Sequence, residues 1–312
     1  PLVDLKIKNI SNIFIAIMLI ITIVLIVYYT ELNNINGKHV LKNNAGQVSY
    51  DTQYGRVLIY NSKLTSNNKD IRIFNIDSGY ESITYTDEEY IYEPVSEYIK
   101  MYDLMFKSNK NINNTLMIGG GGYSYPKYYI SHFKDKTMDV VEIDEDVTKL
   151  AKQYFYLDRL IEDYNLDENH RLNLITEDGR IYLNENTKKY DAILNDAFSG
   201  NSPVKTLTTL EAIKEIKKSL TDNGLYLSNI IGAVDGKNSR FLKAEINTLK
   251  QVFKNVYVIP VSNFLELDNY NNMVIATDDI LDLEGAYNVE ISESEIILTD
   301  DYCPVDTLIP EV

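Results

Sequence analysis

A run of glycines directly follows a short apolar segment and could bring the backbone against a ligand. Gly119, Gly120 and Gly121 come straight after the apolar residues LMI. Glycine permits a sharp turn and close backbone approach, and the N-terminus of a following helix offers free N–H groups. Glu142 stands twenty-one residues after Gly121, at the end of a second apolar segment. A carboxylate there can accept hydrogen bonds from both hydroxyls of a ribose, so we expect a nucleoside site. A tight structural turn and a solvated strand end are the alternatives.

Two more acidic residues follow apolar segments in the same way. Asp178, before Gly179, could accept a hydrogen bond from an adenine amino group, while the glycine keeps the base pocket open. Asp196 could take the proton from an amine that becomes bonded to carbon. Ligands of open α/β sheets bind at the carboxyl ends of strands, so we expect these side chains at one crevice. A turn or a helix cap is the alternative for both aspartates, and we expect Asp144 to cap the helix beginning near Glu145.

The second half of the chain has the rhythm of an α/β domain. From residue 114, short apolar runs alternate with helical patterns, which predicts a mostly parallel sheet covered by helices on both faces. No helix separates the last two runs, so we expect an antiparallel hairpin at the sheet edge. The predicted strands are 115–119, 138–144, 172–176, 191–196, 225–231, 256–261 and 272–277, and the predicted helices are 126–133, 146–157, 209–220 and 238–253.

The first half divides into three predicted parts. Residues 31–46 are rich in Asn, Gly and Lys and are predicted to be a linker. Residues 47–91 contain short β-type runs with polar breaks, which predicts a small antiparallel sheet. Residues 93–106 have helical spacing. We therefore expect a small β domain over 47–106 and the nucleoside-binding domain over 107–312.

An uncharged apolar segment lies near the start of the sequence, at residues 13–29. As a helix it would extend about 26 Å, close to the thickness of a bilayer core. We predict a membrane anchor over residues 1–30 rather than a signal peptide, because no small-residue cleavage site follows. Lys6 and Lys8 precede the segment, and Lys38 and Lys42 lie beyond it. This bias alone would place the domain outside, but it amounts to a couple of charges. The topology stays open, and we expect a cytoplasmic domain.

Charge and cysteine content exclude several classes. The formal net charge of −16 disfavours nucleic acid as a partner and mildly attracts cations, polyamines included. A single cysteine, Cys303, excludes an internal disulfide, and no Cys/His cluster has metal spacing, so we expect no metal.

Four motifs together resemble the spermidine synthase family, and most closely its membrane-attached bacterial members. They are LMIGGGG, VVEIDEDVTKLAKQYF, EDGRIYL and YDAILNDAFSGNSPVKTLT, in the family's order and spacing. The resemblance covers residues 47–280 and implies a methyltransferase-like, Rossmann-like domain behind a small N-terminal sheet. It implies aminopropyl transfer from decarboxylated S-adenosylmethionine to an amine such as putrescine, without a metal, and a homodimer. Carried over by motif, Gly119, Gly120 and Gly121 line the nucleoside, Glu142 holds the ribose, Asp178 with Gly179 meets the adenine, and Asp196 is the base.

The chain departs from the family pattern where ammonium groups would bind. Gly122 replaces the aspartate of the glycine loop, and Ser199 replaces the second aspartate of the D-x-x-D loop. Gly55 follows Tyr54 where the family has glutamine, and Tyr92 stands where histidine is usual before Glu93. Tyr92, Glu93 and Ser199 are the candidate acceptor-binding residues.

Because an ammonium without a carboxylate partner is costly to bury, these departures keep other functions open. The alternatives are a methyltransferase that uses S-adenosylmethionine itself and a non-catalytic nucleoside or polyamine sensor.

Overall fold

A computed structural model describes most of the chain after residue 46. The described residues are 18–24, 41–42, 47–77, 79–108, 111–199, 202–261, 270–287, 289–292 and 296–309.

The N-terminal residues that are described form a short helix, α1 (18–24), whose apolar side chains are exposed. No helix within the described residues has both the length and the apolar character needed to cross a membrane. The rest of the predicted anchor, 1–17 and 25–30, lies outside the described residues.

The first domain is an antiparallel meander, as predicted. Its five strands pair in chain order. Alternating side chains are buried in the first part of the third and of the fourth strand, as expected for a sheet with one face packed on a core. In the fourth strand the alternation ends at Phe74 and Asn75, where the register to the fifth strand shifts. The first strand lies within the predicted linker, whose other residues are not described. The strands are β1 (Leu41–Lys42), β2 (Val48–Asp51), β3 (Arg56–Lys63), β4 (Asp70–Ile76) and β5 (Gly79–Tyr85).

The second domain has a seven-stranded mixed sheet in the order β13-β14-β12-β9-β6-β7-β8. Strands β12, β9, β6, β7 and β8 run parallel, and the predicted terminal hairpin is confirmed because β13 and β14 pair antiparallel. A separate two-stranded ribbon, β10 and β11, follows β9. The bounds are β6 (Asn114–Ile118), β7 (Thr137–Glu142), β8 (Leu172–Thr176), β9 (Tyr190–Asn195), β10 (Phe198–Ser199), β11 (Ser202–Pro203), β12 (Leu220–Gly232), β13 (Asn255–Pro260) and β14 (Tyr270–Thr277).

Helices cover both faces of this sheet, so its central strands are buried on both sides. Leu116 and Ile118 pack into one core cluster, whereas Met117 between them packs into the other. The helices are α2 (Glu97–Lys100), α3 (Ser124–His132), α4 (Glu145–Tyr154), α5 (Leu157–Asp163), α6 (Leu166–Asn169), α7 (Gly179–Glu185), α8 (Lys205–Thr208), α9 (Leu210–Ser219), α10 (Arg240–Lys250) and α11 (Val305–Leu308). A 3-10 helix, Met101–Lys107, continues α2.

Two predicted helices are broken in the structure. The helix predicted over 146–157 ends at Tyr154, and α5 starts after Tyr156, whose φ of +62° cannot continue a helix. The helix predicted over 93–106 is divided between α2 and the 3-10 turns.

Candidate active site

The site lies where the strand order reverses, between β6 and β9. β7 extends the sheet on one side of β6, whereas β9 lies on the other side, so the loops after β6 and β9 separate and leave a crevice. The two loops touch at their origin: the Asp196 N–H donates to the Ile118 carbonyl over 2.9 Å. A Cβ on Gly119 would lie 2.6 Å from the Asp196 carbonyl oxygen, and Gly119 has a φ of +92°. Glycine is therefore required there.

Glu142 holds the glycine loop from the end of β7. Its Oε2 accepts the N–H groups of Gly120 at 2.8 Å and Gly121 at 3.1 Å, and its Oε1 accepts the N–H of Asp144 at 3.0 Å. Burial raises the pKa of the Glu142 carboxyl, and the three backbone N–H donors oppose that shift. Each carboxylate oxygen can accept two hydrogen bonds, so Oε1 retains capacity for a further donor.

A cavity of about 330 Å³ opens in front of this loop. Its volume lies in the usual range for small-molecule sites. The predicted residues Gly119, Gly120, Gly121, Glu142, Asp178, Gly179 and Asp196 all line it. Ile143, Val147, Phe198 and Leu207 add apolar surface.

The charged side chains lining this cavity are all acidic. They are Asp77, Glu142, Asp144, Asp178 and Asp196, and no lysine or arginine lines it within the described residues. No group of three or more His, Cys, Asp or Glu in that part of the chain has the geometry of a metal site. The cavity therefore favours a ligand with positive charge.

Two of these aspartates also cap helices. Asp144 Oδ1 accepts from the Asp146 N–H at 2.9 Å, as predicted, while its buried Oδ2 has no partner within the described residues. Asp178 Oδ1 accepts from the N–H groups of Arg180 and Ile181, at 2.8 and 3.0 Å. The capping alternative for Asp178 is thus observed, together with its position at the cavity.

Asp196 lies at the junction of this cavity with a smaller one. Its Oδ2 accepts from the Tyr98 hydroxyl at 3.3 Å, and its Oδ1 accepts from Asn229 Nδ2 at 3.2 Å. Burial raises the pKa of the Asp196 carboxyl, and the hydrogen bonds from Asn229, Tyr98 and Tyr102 oppose this shift. A carboxylate with a raised pKa is a better proton acceptor at neutral pH than a free aspartate.

The smaller cavity has a volume of about 70 Å³. Gly120, Ser82 and Asp196 line both cavities. The remaining lining residues are Ile83, Ser96, Tyr98, Ile99, Met117, Ser124 and Tyr125.

Two of the three candidate acceptor residues, Tyr92 and Glu93, are not brought to these cavities. The Tyr92 hydroxyl donates to Asp163 Oδ2 at 2.7 Å, on helix α5. Glu93 pairs with Lys100 at 2.9 Å and with His132 at 3.0 Å. Neither Tyr92 nor Glu93 is among the described residues that line the two cavities. The side chain of Ser199 does not belong to the described part of the chain, so this candidate stays a prediction.

Three residues that the sequence analysis did not select lie beside the predicted ones. Ser82 Oγ accepts the Gly122 N–H at 2.8 Å, and Tyr98 and Asn229 bond Asp196. Only Tyr98 gave a signal, as part of the helical spacing over 93–106.

Gly122 itself is closely surrounded. A Cβ there would meet Ser82 Cβ at 2.6 Å and Phe155 Cδ1 at 2.9 Å. An aspartate at this position would therefore require the meander to move.

Comparison with known proteins agrees with this geometry. The sequence model of the spermine/spermidine synthase domain matches residues 94–276, more than half of the 312 residues. A polyamine aminopropyltransferase of Vibrio vulnificus is 30% identical over 163 residues, which cover 51% of this chain and 50% of that protein. The match thus spans about half the length of that relative.

A second relative and a solved structure extend the comparison. A polyamine aminopropyltransferase of Clostridioides difficile is 27% identical over 227 residues, 72% of this chain and 74% of that protein. The crystal structure of a probable spermidine synthase from Corynebacterium glutamicum superposes with a TM-score of 0.60 at 19% identity, covering 74% of this chain and 80% of that one. This likeness supports the methyltransferase-like fold. By the extent of the sequence match, the chain belongs to the spermine/spermidine synthase domain family.

Proposed function

We propose that the protein transfers an aminopropyl group from decarboxylated S-adenosylmethionine to an amine. The acidic lining of the large cavity is the observation that supports this donor. The decarboxylated donor carries a sulfonium and an ammonium, both positive, and five carboxylates line the cavity. S-adenosylmethionine would add a carboxylate to the same surroundings, where no lysine or arginine among the described lining residues could pair with it.

The reaction needs an in-line attack and removal of one proton. The neutral amine nitrogen attacks the aminopropyl carbon attached to sulfur, the C–S bond breaks, and its electron pair stays on sulfur to give methylthioadenosine. The new C–N bond leaves an extra proton on nitrogen, which passes to Asp196. Asp196 is suited to this role because it faces both cavities and its pKa is raised by burial.

The nucleoside would lie in the large cavity. Glu142 Oε1 retains capacity to accept a ribose hydroxyl, and Asp178 and Gly179, which line the same cavity, would meet the base. The apolar residues Ile143 and Leu207 offer contact to a flat ring.

Calorimetry with the full chain tests the donor. Decarboxylated S-adenosylmethionine should bind at least about tenfold more tightly than S-adenosylmethionine, since one unpaired buried carboxylate costs more than 1.4 kcal/mol. Tighter binding of S-adenosylmethionine would contradict the proposal and favour methyl transfer. Mass spectrometry of the acceptor then separates gain of an aminopropyl unit from gain of a methyl group, and no product would favour a sensor.

Asp196→Asn tests the base. General-base catalysis contributes about 10²- to 10⁴-fold, so turnover should fall by that factor while methylthioadenosine affinity stays within about threefold. Asp191→Asn, at the opposite end of β9 and outside both cavities, is the control. Unchanged turnover in Asp196→Asn would remove this residue from the mechanism.

We propose in addition that residues 13–29 attach the protein to a membrane and that the protein pairs as a dimer. The support for attachment is the uncharged apolar segment, of which residues 18–24 are helical with exposed side chains. Fractionation of cells that express the chain with and without residues 1–30 tests attachment, and protease protection tests the side. Sedimentation of the shorter chain tests the dimer, which is based on the family resemblance alone.

A further inference from the structure

The small cavity has one charged group and several hydroxyls. Asp196 is the single ionisable carboxylate among its described lining residues, whereas Ser82, Ser96, Tyr98, Ser124 and Tyr125 contribute hydroxyls. The remaining surface is backbone and the apolar side chains of Ile83, Ile99 and Met117. This lining differs from that of the large cavity, which has five carboxylates.

The cavity has room for a short amine. A volume of 70 Å³ accommodates about five to seven water-sized groups, since each needs about 10–15 Å³ on the same measure. An amine with six non-hydrogen atoms therefore has a comparable volume. One end of such a molecule would lie against Asp196, at the junction with the large cavity. The other end would lie among the residues that line the small cavity alone, which include Ser96 and Ser124.

The charge of the far end decides which amines are accepted. A second ammonium would lie among hydroxyls and hydrocarbon, and the described residues that line this cavity offer it no carboxylate other than Asp196. An unpaired buried ion is costly. A hydroxyl at the same place would exchange hydrogen bonds with Ser96 and Ser124. Ser96 makes no side-chain capping bond to its helix, and Ser124 Oγ, which donates to the Ile83 carbonyl at 3.5 Å, can still accept.

On these grounds we propose that the small cavity selects a primary amine with one positive charge and an uncharged polar end, that is, a short amino alcohol, over a diamine. This inference rests on the proposed function, because it takes the small cavity as the acceptor site. Asp196 pairs with the ammonium form of the acceptor, which loses one proton to solvent before the neutral amine attacks, and the serine hydroxyls hold the alcohol.

The test compares two molecules of equal length, 4-amino-1-butanol and putrescine, which differ at one end only. Both are titrated calorimetrically into the full chain, with and without bound methylthioadenosine. The amino alcohol should bind at least about tenfold more tightly, since the difference is one unpaired ammonium. Equal or tighter binding of putrescine overturns the inference, and so does the absence of binding by both amines.

A charge placed in the cavity provides a second test. Ser96 is the N-cap of α2, a position that accepts Asp and Asn equally well, so Ser96→Asp and Ser96→Asn should both fold. Ser96→Asp adds the missing carboxylate and should shift the affinity ratio toward putrescine by about tenfold or more, whereas Ser96→Asn should not. A ratio unchanged by Ser96→Asp also overturns the inference.

These outcomes are distinct from failure of the proposed function. That function fails if decarboxylated S-adenosylmethionine does not bind the large cavity or if no aminopropyl product forms with any amine. The amine comparison is a binding measurement that does not depend on turnover. A preference for putrescine would therefore contradict the proposed selection of an amino alcohol without contradicting aminopropyl transfer.

Discussion

The single side chain of Glu142 has two roles: it supports the glycine loop, and it lines the large cavity. Three backbone N–H groups, from Gly120, Gly121 and Asp144, converge on its carboxylate. Removing the charge weakens all three bonds and leaves buried donors poorly satisfied. The consequences should appear in both ligand affinity and stability.

We predict that Glu142→Gln lowers methylthioadenosine affinity by about tenfold or more, since hydrogen bonds to a charged group contribute about 1.5–3 kcal/mol. The melting temperature should fall as well. Calorimetry and thermal unfolding measure the two effects, with Glu177→Gln, at the neighbouring strand end and outside both cavities, as the control. Affinity equal to that of the unchanged protein would take Glu142 out of the site.

The residues predicted from sequence share one property: they lie at the last residue of a strand or within two residues after it. Gly119, Glu142, Asp178 and Asp196 could be found because an apolar run marks a strand and its end marks the crevice. Ser82, Tyr98 and Asn229 could not be found in this way. Tyr98 and Asp196 are 98 residues apart in the chain, so their contact depends on how the meander and α2 pack onto the sheet.

At the scale of elements, the meander is fitted closely against the glycine loop. Ser82 on β5 accepts the Gly122 N–H at 2.8 Å, and its Cβ lies where a side chain at position 122 would begin. The position of β5 thus explains why glycine stands where the family has aspartate.

We predict that Gly122→Ala destabilises the protein by about 1–3 kcal/mol, the usual cost of overpacking. Ser82→Gly removes the closest opposing atom, so Gly122→Ala should cost less in that background. A double-mutant cycle from denaturant unfolding measures the coupling. The same penalty in both backgrounds would show that the two elements are not in contact as described.

A second link between the elements is the buried Lys127 on α3. Its Nζ donates to Thr84 Oγ1 of the meander at 3.0 Å and to the Phe155 carbonyl after α4 at 2.7 Å. Burial, with a smaller contribution from Arg72, lowers the pKa of Lys127 to about 7. Between pH 7 and the ordinary pKa of 10.5 the unfolded chain binds more protons than the folded protein, so the free energy of unfolding rises with pH across that window. Below pH 7 this group makes no contribution to the pH dependence of stability.

Lys127→Met should therefore flatten the rise in melting temperature between pH 7 and 10, while Lys134→Met, an exposed lysine nearby, should leave it unchanged. Thermal unfolding across this range is the measurement. A rise as steep in Lys127→Met as in the unchanged protein would show that Lys127 does not titrate in that window.

At the scale of elements, the alternation of strands and helices and the final hairpin followed from periodicity alone. Helix α7 (Gly179–Glu185) was not predicted, since seven residues after a glycine give too short a pattern to separate from a turn. The break at Tyr156 depends on a backbone conformation that no residue type there signals.

At the scale of the whole molecule, the net charge of −16 and the acidic cavity act in the same direction, toward cationic ligands. Attraction of this kind is screened by salt over about 10 Å at 0.1 M. We predict that the KM for the amine rises as sodium chloride is increased from about 20 to about 300 mM, because the screening length shortens over this range. The affinity for methylthioadenosine should stay nearly constant, because that ligand is neutral. Steady-state kinetics and calorimetry provide the two readings, and equal salt dependence of both would contradict long-range attraction.

The stability of the whole molecule should also depend on a carboxyl that lines neither cavity. Glu245 on α10 is 1% exposed, and its Oε2 has no hydrogen-bond partner within the described residues. Burial raises the pKa of Glu245 from 4.5 to about 8. Between these values the folded protein binds more protons than the unfolded chain, so stability is fully present below pH 4.5 and declines as pH rises toward 8. This is the opposite sign to the effect of Lys127.

We predict that Glu245→Gln removes most of this decline because an amide keeps the shape of the protonated carboxyl without titrating. The variant should match the unchanged protein at pH 5 and exceed its free energy of unfolding at pH 8 by on the order of a few kcal/mol. Urea unfolding at the two pH values measures the difference, with the exposed Glu284→Gln as the control. Equal stability of Glu245→Gln and the unchanged protein at pH 8 would mean that Glu245 is ionised and solvated, and that α10 packs less tightly against β12 than the structure shows.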